Sequence, residues 1–213
     1  MFWNYFNETV RRSNQTSIFN LCKEAGLVSG AAAYFWISEL YNRAPFDKHR
    51  DRIQFGIEDD LIDYGIYYWE DTYPDSHLFM DGEAIRKTYH PDFMLYHPMS
   101  IDLAGHTFGA DSREYAGKVA GMGVLIADIL PSWLEDGYQV VVTADHGMDE
   151  NGIHCGITDP QRDVPLYILS PLVENGRFED HYIGQRNIAP MLCRLLGLKA
   201  SDAMISPDEI HFK

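Results

Sequence analysis

The sequence predicts an α/β fold, with a mostly parallel sheet flanked by helices on both faces, and three observations lead there. Apolar runs of strand length, Val28 to Trp36, Phe93 to His97, Tyr138 to Thr143 and Val164 to Leu169, alternate with segments of helical period. The first run is small and apolar almost throughout, and the third is β-branched, which suits strands covered on both faces. Strands that alternate with helices are joined by right-handed crossovers, and such crossovers make a sheet parallel.

Each element follows from a local signal. Ser13 to Ala25 reads as a helix that Ser13 or Thr16 can cap, with Ile18, Leu21, Cys22 and Ala25 on one face and Gly26 closing it. After the strand Val28 to Trp36 the pattern loosens. Residues 37–75 are acidic and aromatic, carry Glu58, Asp59, Asp60 and Asp63, and read as a cap-like insertion rather than a sheet element. Their tyrosines and Trp69 are expected to pack rather than to stack on a base. Ser76 to Tyr89 is a helix despite Gly82, and it leads to the strand Phe93 to His97. A long helix follows, capped by Asp111 with Glu114 three residues on. Its stripe Tyr115, Val119, Met122, Ile126, Ile129 and Trp133 is expected in the core; Pro131 can kink its last turn and Gly137 ends it. Ile188 to Leu196 is the last helix, ended by Gly197. No repeat or linker divides the chain, so residues 1–213 are expected to form a single domain.

Composition narrows the partners. A formal net charge of −15 with no basic run argues against a nucleic-acid-binding surface. It leaves room for a small phosphorylated substrate, because bound divalent cations invert the local potential. Cys22, Cys155 and Cys193 are odd in number and widely spaced, which fits a reducing compartment and suggests neither a disulfide framework nor a cysteine-type zinc site. No apolar run approaches bilayer-spanning length and the first residues lack a signal pattern, so the expectation is no membrane contact and a cytoplasmic location for the chain as it stands.

The chemistry gathers at strand ends. Val140-Val141-Val142 lead into Asp145-His146-Gly147, where Gly147 is expected to break the strand so that both side chains reach one site. Asp102 and His106 follow the strand before the long helix, and His154 stands between glycines in Gly152-Ile153-His154-Cys155-Gly156. In an open α/β sheet the loops leaving the strands' carboxyl ends share one edge, so these pairs are expected to meet there. Taken singly, each has an ordinary explanation: a chance spacing, a strand-to-turn junction, or a loop histidine bonded to backbone. Jointly, Asp102, His106, Asp145, His146 and His154 form a metal-ligand set whose mix of carboxylate and imidazole suits zinc or manganese better than magnesium or calcium.

The motifs Asp102-Leu-Ala-Gly-His106-Thr-Phe-Gly109, Thr143-Ala-Asp145-His146-Gly147-Met148 and Gly152-Ile-His154-Cys-Gly156 resemble those of the type I phosphodiesterases and nucleotide pyrophosphatases, in the alkaline phosphatase superfamily. Val164-Pro165-Leu166-Tyr167 and the segment from Ile188 to Leu198 resemble that family's closing strand and helix. The resemblance implies an alkaline-phosphatase-like fold and two divalent metal ions. Asp102, His106 and His154 would hold one ion, and Asp145 and His146 would supply part of the other site, which stays incomplete in this chain. The family completes that site with an upstream aspartate and a Thr or Ser nucleophile.

Neither has a match here. The first Asp is Asp47, and Thr9, Ser13, Thr16 and Ser17 are the nearby hydroxyls, each better explained as a helix cap or surface group. The expectation is a fold truncated at the N-terminus and a metal-dependent hydrolase of phosphodiester or pyrophosphate bonds by ancestry, with weak or absent turnover. Two other readings compete. One is a non-catalytic metal-binding domain that self-associates through an uncovered sheet edge; the other is a phosphomutase or sulfatase of the same superfamily.

Overall fold

A computed structural model of the chain describes residues 11–177, 182–204, 210 and 212–213. The chain divides into two compact units, Met1–Met99 and Ser100–Lys213.

In the first unit, a four-stranded sheet is built around β1 (Ser29–Tyr34), buried at every position. β1 pairs in parallel with β3 (Tyr64–Tyr68) on one side and with β4 (Phe93–His97) on the other. β2 (Ile53–Phe55) adds to β3 in the antiparallel sense. Alternation along each strand makes two cores. Ala31, Ala33 and Tyr67 face Phe19 of α1 (Ile18–Glu24), whereas Ala32, Tyr34 and Tyr68 face Leu78 of α4 (Asp75–Tyr89). The expected mostly parallel sheet with helices on both faces is therefore present.

Several boundaries differ for local reasons. Ser17, rather than Ser13 or Thr16, caps α1, in a reciprocal capping box with Asn20. β1 stops at Tyr34 because the chain turns at once into α2 (Phe35–Tyr41). Gly82 lies inside α4 because a Cβ there would sit 2.1 Å from the Tyr96 ring.

The segment expected to be an insertion instead supplies the one-turn helix α3 (Lys48–Asp51), β2 and β3, so it is part of the sheet. Two of its acidic residues are structural. Asp60 faces Arg43 at 3.4 Å, and Asp63 Oδ2 accepts from the Ser29 backbone N–H at 2.8 Å and from its hydroxyl at 3.0 Å. Its aromatic residues pack, as expected: Tyr67 and Tyr68 are buried, and Tyr64 stacks on Tyr89 with centroids 3.8 Å apart.

The second unit begins with α5 (Ser100–Phe108), against which α6 (Arg113–Glu135) packs. Ser112 caps α6 by accepting from the Tyr115 N–H, in place of the expected Asp111. Of the expected stripe on α6, Ile129 and Trp133 are buried, whereas Val119 is 46% exposed. By length and composition alone α6 could cross a membrane, which corrects the expectation that no segment approaches that length.

β5 (Val140–Val142) and β6 (Tyr167–Leu169) form a separate antiparallel pair, where a parallel arrangement was expected. A parallel pair needs a crossover long enough to carry a packed helix. Residues 143–166 instead carry the donor-bearing loops and only the one-turn helix α7 (Asp159–Arg162), so the strand returns alongside. α8 (Ile188–Leu195) brings Met191 and Leu195 into a core with Val141 and Ile168.

Candidate metal centre

All five residues of the expected ligand set come together within Ser100–Lys213, although not at the edge of one sheet. Asp102 and His106 lie one turn apart on α5, a spacing that puts both on one helix face, with Oδ2 and Nε2 3.5 Å apart. Asp145 and His146 follow β5, and His146 Nε2 lies 3.6 Å from Asp145 Oδ2. His154 comes from the next loop, and its Nε2 is 3.1 Å from that of His106. The His146 and His154 rings stack, with centroids 3.8 Å apart.

Close backbone approaches hold these pieces. The C-terminal half of α5 cradles the His154 loop: Ala110 N–H donates to Asp149 O at 3.0 Å, and a Cβ on Gly152 would lie 2.6 Å from Gly105 O. Gly109, at φ +80, lies where a Cβ would meet Glu150 O at 2.1 Å. Gly147 has no positive φ; it is small because a Cβ would meet the Pro160 carbonyl at 2.1 Å, so close approach rather than a strand break explains it. Asp149 organises the loop from within, with Oδ1 accepting from the N–H groups of Asn151 and Ile153, and Oδ2 from Gln161 Nε2 at 2.9 Å. Gln161 in turn accepts at its backbone oxygen from Gly147 N–H.

Asp149 and Gln161 were missed as site-supporting residues. The run Asp149-Glu150-Asn151-Gly152 carries the turn chemistry that marks the first of them, whereas nothing local marks Gln161. Tyr115, expected only as core, also belongs near the site: burial raises its phenol pKa, and the charge of Asp102 adds to the effect.

The hydrogen bonds assign the imidazole protons. Nδ1 of His106 contacts Gly152 O at 2.8 Å, and Nδ1 of His146 contacts Gly147 O at 3.0 Å. A carbonyl only accepts, so each Nδ1 carries the hydrogen, which leaves Nε2 of each ring as the atom that can serve as a metal donor. Burial, reinforced by His146, lowers the His154 pKa and favours its neutral form.

Asp102 stands at the middle of the cluster. Its Oδ1 is buried with no hydrogen-bond partner among the described residues, and Nε2 of both His146 and His154 lies 3.7 Å away. Donor atoms of Asp102, His146 and His154 lie within 4.8 Å of one another. Imidazole nitrogens converging on an orphaned carboxylate oxygen fit a shared cation, and carboxylate plus imidazole fits a transition-type divalent ion. This tight group draws on both implied ligand sets.

Residues 8–159, more than half of the chain, match the family described as type I phosphodiesterase / nucleotide pyrophosphatase. The chain belongs to that family. Among curated proteins it is 32% identical over 148 residues to the catalytic subunit of GPI ethanolamine phosphate transferase 3 of Homo sapiens, a match that covers 68% of this chain and 12% of that protein. It is 30% identical over 122 residues to GPI ethanolamine phosphate transferase 3 of Saccharomyces cerevisiae, covering 57% of this chain and 11% of the yeast protein. Among solved structures, murine ectonucleotide pyrophosphatase / phosphodiesterase 5 aligns at 19% identity and a TM-score of 0.46, over 64% of this chain and 34% of the other. The human form of that protein aligns at 18% identity and 0.45, over 63% and 33%. The chain thus spans a small part of the length of each of these relatives.

Proposed function

We propose that the family member described here carries a divalent-metal centre built from Asp102, His106, Asp145, His146 and His154, and that this centre serves transfer of a phosphoryl group from a phosphodiester or pyrophosphate. The observation that carries the reading is the buried Asp102 Oδ1, which has no hydrogen-bond partner among the described residues and is faced by Nε2 of His146 and His154. Zinc or manganese suits this donor set. When bound, such an ion supplies positive charge to a phosphoryl transition state. The chain's own residues hold and orient it: Asp102 bridges the histidines, and the carbonyls of Gly152 and Gly147 fix the ring orientations of His106 and His146.

The resemblance assigns no hydroxyl of this sequence to the attacking group. Thr9 lies outside the described residues, and Ser17 is occupied as a helix cap. Weak or absent turnover by the chain alone is part of this proposal. The relatives named as ethanolamine phosphate transferases favour a second reading of the same centre, in which an acceptor other than water takes up the transferred group.

The test is metal binding followed by turnover. Added zinc or manganese raises the melting temperature of the chain, and Asp102→Ala abolishes that rise. Cleavage of an aryl phosphodiester stays near the rate with metal alone. A chain that binds neither ion disproves the centre, and robust cleavage lost in His106→Ala disproves the expectation of weak turnover.

A further inference from the structure

The metal-centre reading leaves one contact at His154 unused. Its Nδ1 lies 2.8 Å from Sγ of the adjacent Cys155, where His106 and His146 use a backbone carbonyl instead. Cys155 also has φ +67, and with His90 it is one of two non-glycine residues at positive φ among those described. A side chain held in that region is strained, a strain that a glycine would spare. The motif has glycines at 152 and 156, yet a side chain occupies the left-handed position between them.

A thiol differs from a carbonyl in that it both donates and accepts. Nε2 of His106 is a lone pair, so at 3.1 Å His154 can donate to it only with a hydrogen on its own Nε2. Its Nδ1 is then an acceptor, and the Cys155 S–H donates to it. The proton pattern runs in one direction, from Cys155 through His154 and His106 to Gly152 O. A metal ion reverses the demand on His154. Nε2 must offer its lone pair, the proton must sit on Nδ1, and Sγ must accept it. One proton moves from Nε2 to Nδ1 with solvent as carrier, and the S–H turns away from the ring; no proton is gained or lost. A backbone carbonyl could serve only the second state.

We infer that Cys155 is a positioning residue for His154, holding the imidazole through Nδ1 in both tautomers and thereby presenting Nε2 to the metal. The inference rests on the metal-centre reading but concerns a residue that reading does not use. Sγ lies against Nδ1, so the adjacent thiol is at hand as a partner of the ring in either tautomer.

The experiment compares zinc and manganese affinity, by competition with a chromophoric chelator, for the wild-type chain, Cys155→Ser and Cys155→Gly. Serine keeps a donor and acceptor at the same place, whereas glycine removes both and relaxes the backbone. Expected are a loss of about tenfold or more for Cys155→Gly and near-wild-type affinity for Cys155→Ser. The metal-free melting temperature of Cys155→Gly should be no lower than wild type, which separates positioning from folding. Iodoacetamide supplies a second measurement without mutation, because Cys155 is exposed whereas Cys22 and Cys193 are buried. The singly alkylated chain should bind metal as weakly as Cys155→Gly. Wild-type affinity in Cys155→Gly or in the alkylated chain, or equal loss in serine and glycine variants, overturns the role of Cys155 and leaves the metal centre standing. A wild-type chain that binds neither ion overturns both.

Discussion

Gly147 shows how a single residue acts at this site. Its neighbour His146 reaches Asp102 only because the turn passes against α7, where Gly147 N–H donates to Gln161 O and the Pro160 carbonyl takes the space of a Cβ. Gly147→Ala therefore places a methyl group 2.1 Å from a backbone oxygen that cannot rotate away. The expected cost is roughly 1–3 kcal/mol, as for overpacking elsewhere, and thermal unfolding with and without zinc reads it. The metal-induced rise should shrink as well, because the displaced turn carries His146; an unchanged rise would mean that the turn does not position the ligand. Residue types and spacing made the five proposed donors stand out, since Asp and His are chemically conspicuous. Gln161 was not legible in its supporting role, nor was the proposed role of Cys155, because an amide or thiol becomes informative only when a loop folds it against a partner. His154 adds a dependence on pH. With its pKa lowered by burial and by His146, it is protonated less readily folded than unfolded. Its contribution to stability is thus fully present above about pH 6.5 and is lost as pH falls below that value.

At the scale of elements, β3 carries the main departure from expectation. Tyr64–Tyr68 lies in an acidic, aromatic stretch without clean alternation, so its period is weak, yet it pairs with β1 over five residues. Buried Gly65 explains part of this: Tyr67, two residues on and on the same face, folds its ring over the glycine, where a Cβ would meet the ring within 2.4 Å. Helix–glycine–strand rhythm made β1, α4 and β4 readable. The antiparallel return of β6 depended on how residues 143–166 were used, which periodicity does not report. Tyr67 also makes a prediction. Its ring is fully buried and its hydroxyl has no hydrogen-bond partner among the described residues, and burial pushes the phenol pKa far upward. An unpaired buried hydroxyl costs about 1–3 kcal/mol, so Tyr67→Phe should leave stability unchanged or raise it. Urea unfolding gives the answer, and a lowered midpoint with an unchanged slope would show that the hydroxyl is paired.

Across the whole chain, the two units bury separate cores. Phe19, Ala31, Leu78 and Tyr68 belong to those of Met1–Met99, whereas Met191, Leu195 and Val173 belong to that of Ser100–Lys213. Every proposed ligand lies in the second unit, on α5, after β5 and in the His154 loop. Ligand linkage stabilises the states that hold the ligand, by about 2.7 kcal/mol at a free concentration one hundred times Kd. Openings that break the metal centre are therefore suppressed by metal, while openings within a unit that leave the donors intact are not. Hydrogen exchange with and without zinc should show slowed exchange in residues 102–109 and 145–157, where the donors and their supporting N–H groups lie. Local openings of β1 and β3 should exchange at the same rate in both conditions. Slowing confined to Met1–Met99 would place the ion elsewhere and remove the five donors from consideration. Slowing in residues 102–109 alone would split the cluster, leaving Asp102 and His106 as the binding group and His146 and His154 outside it.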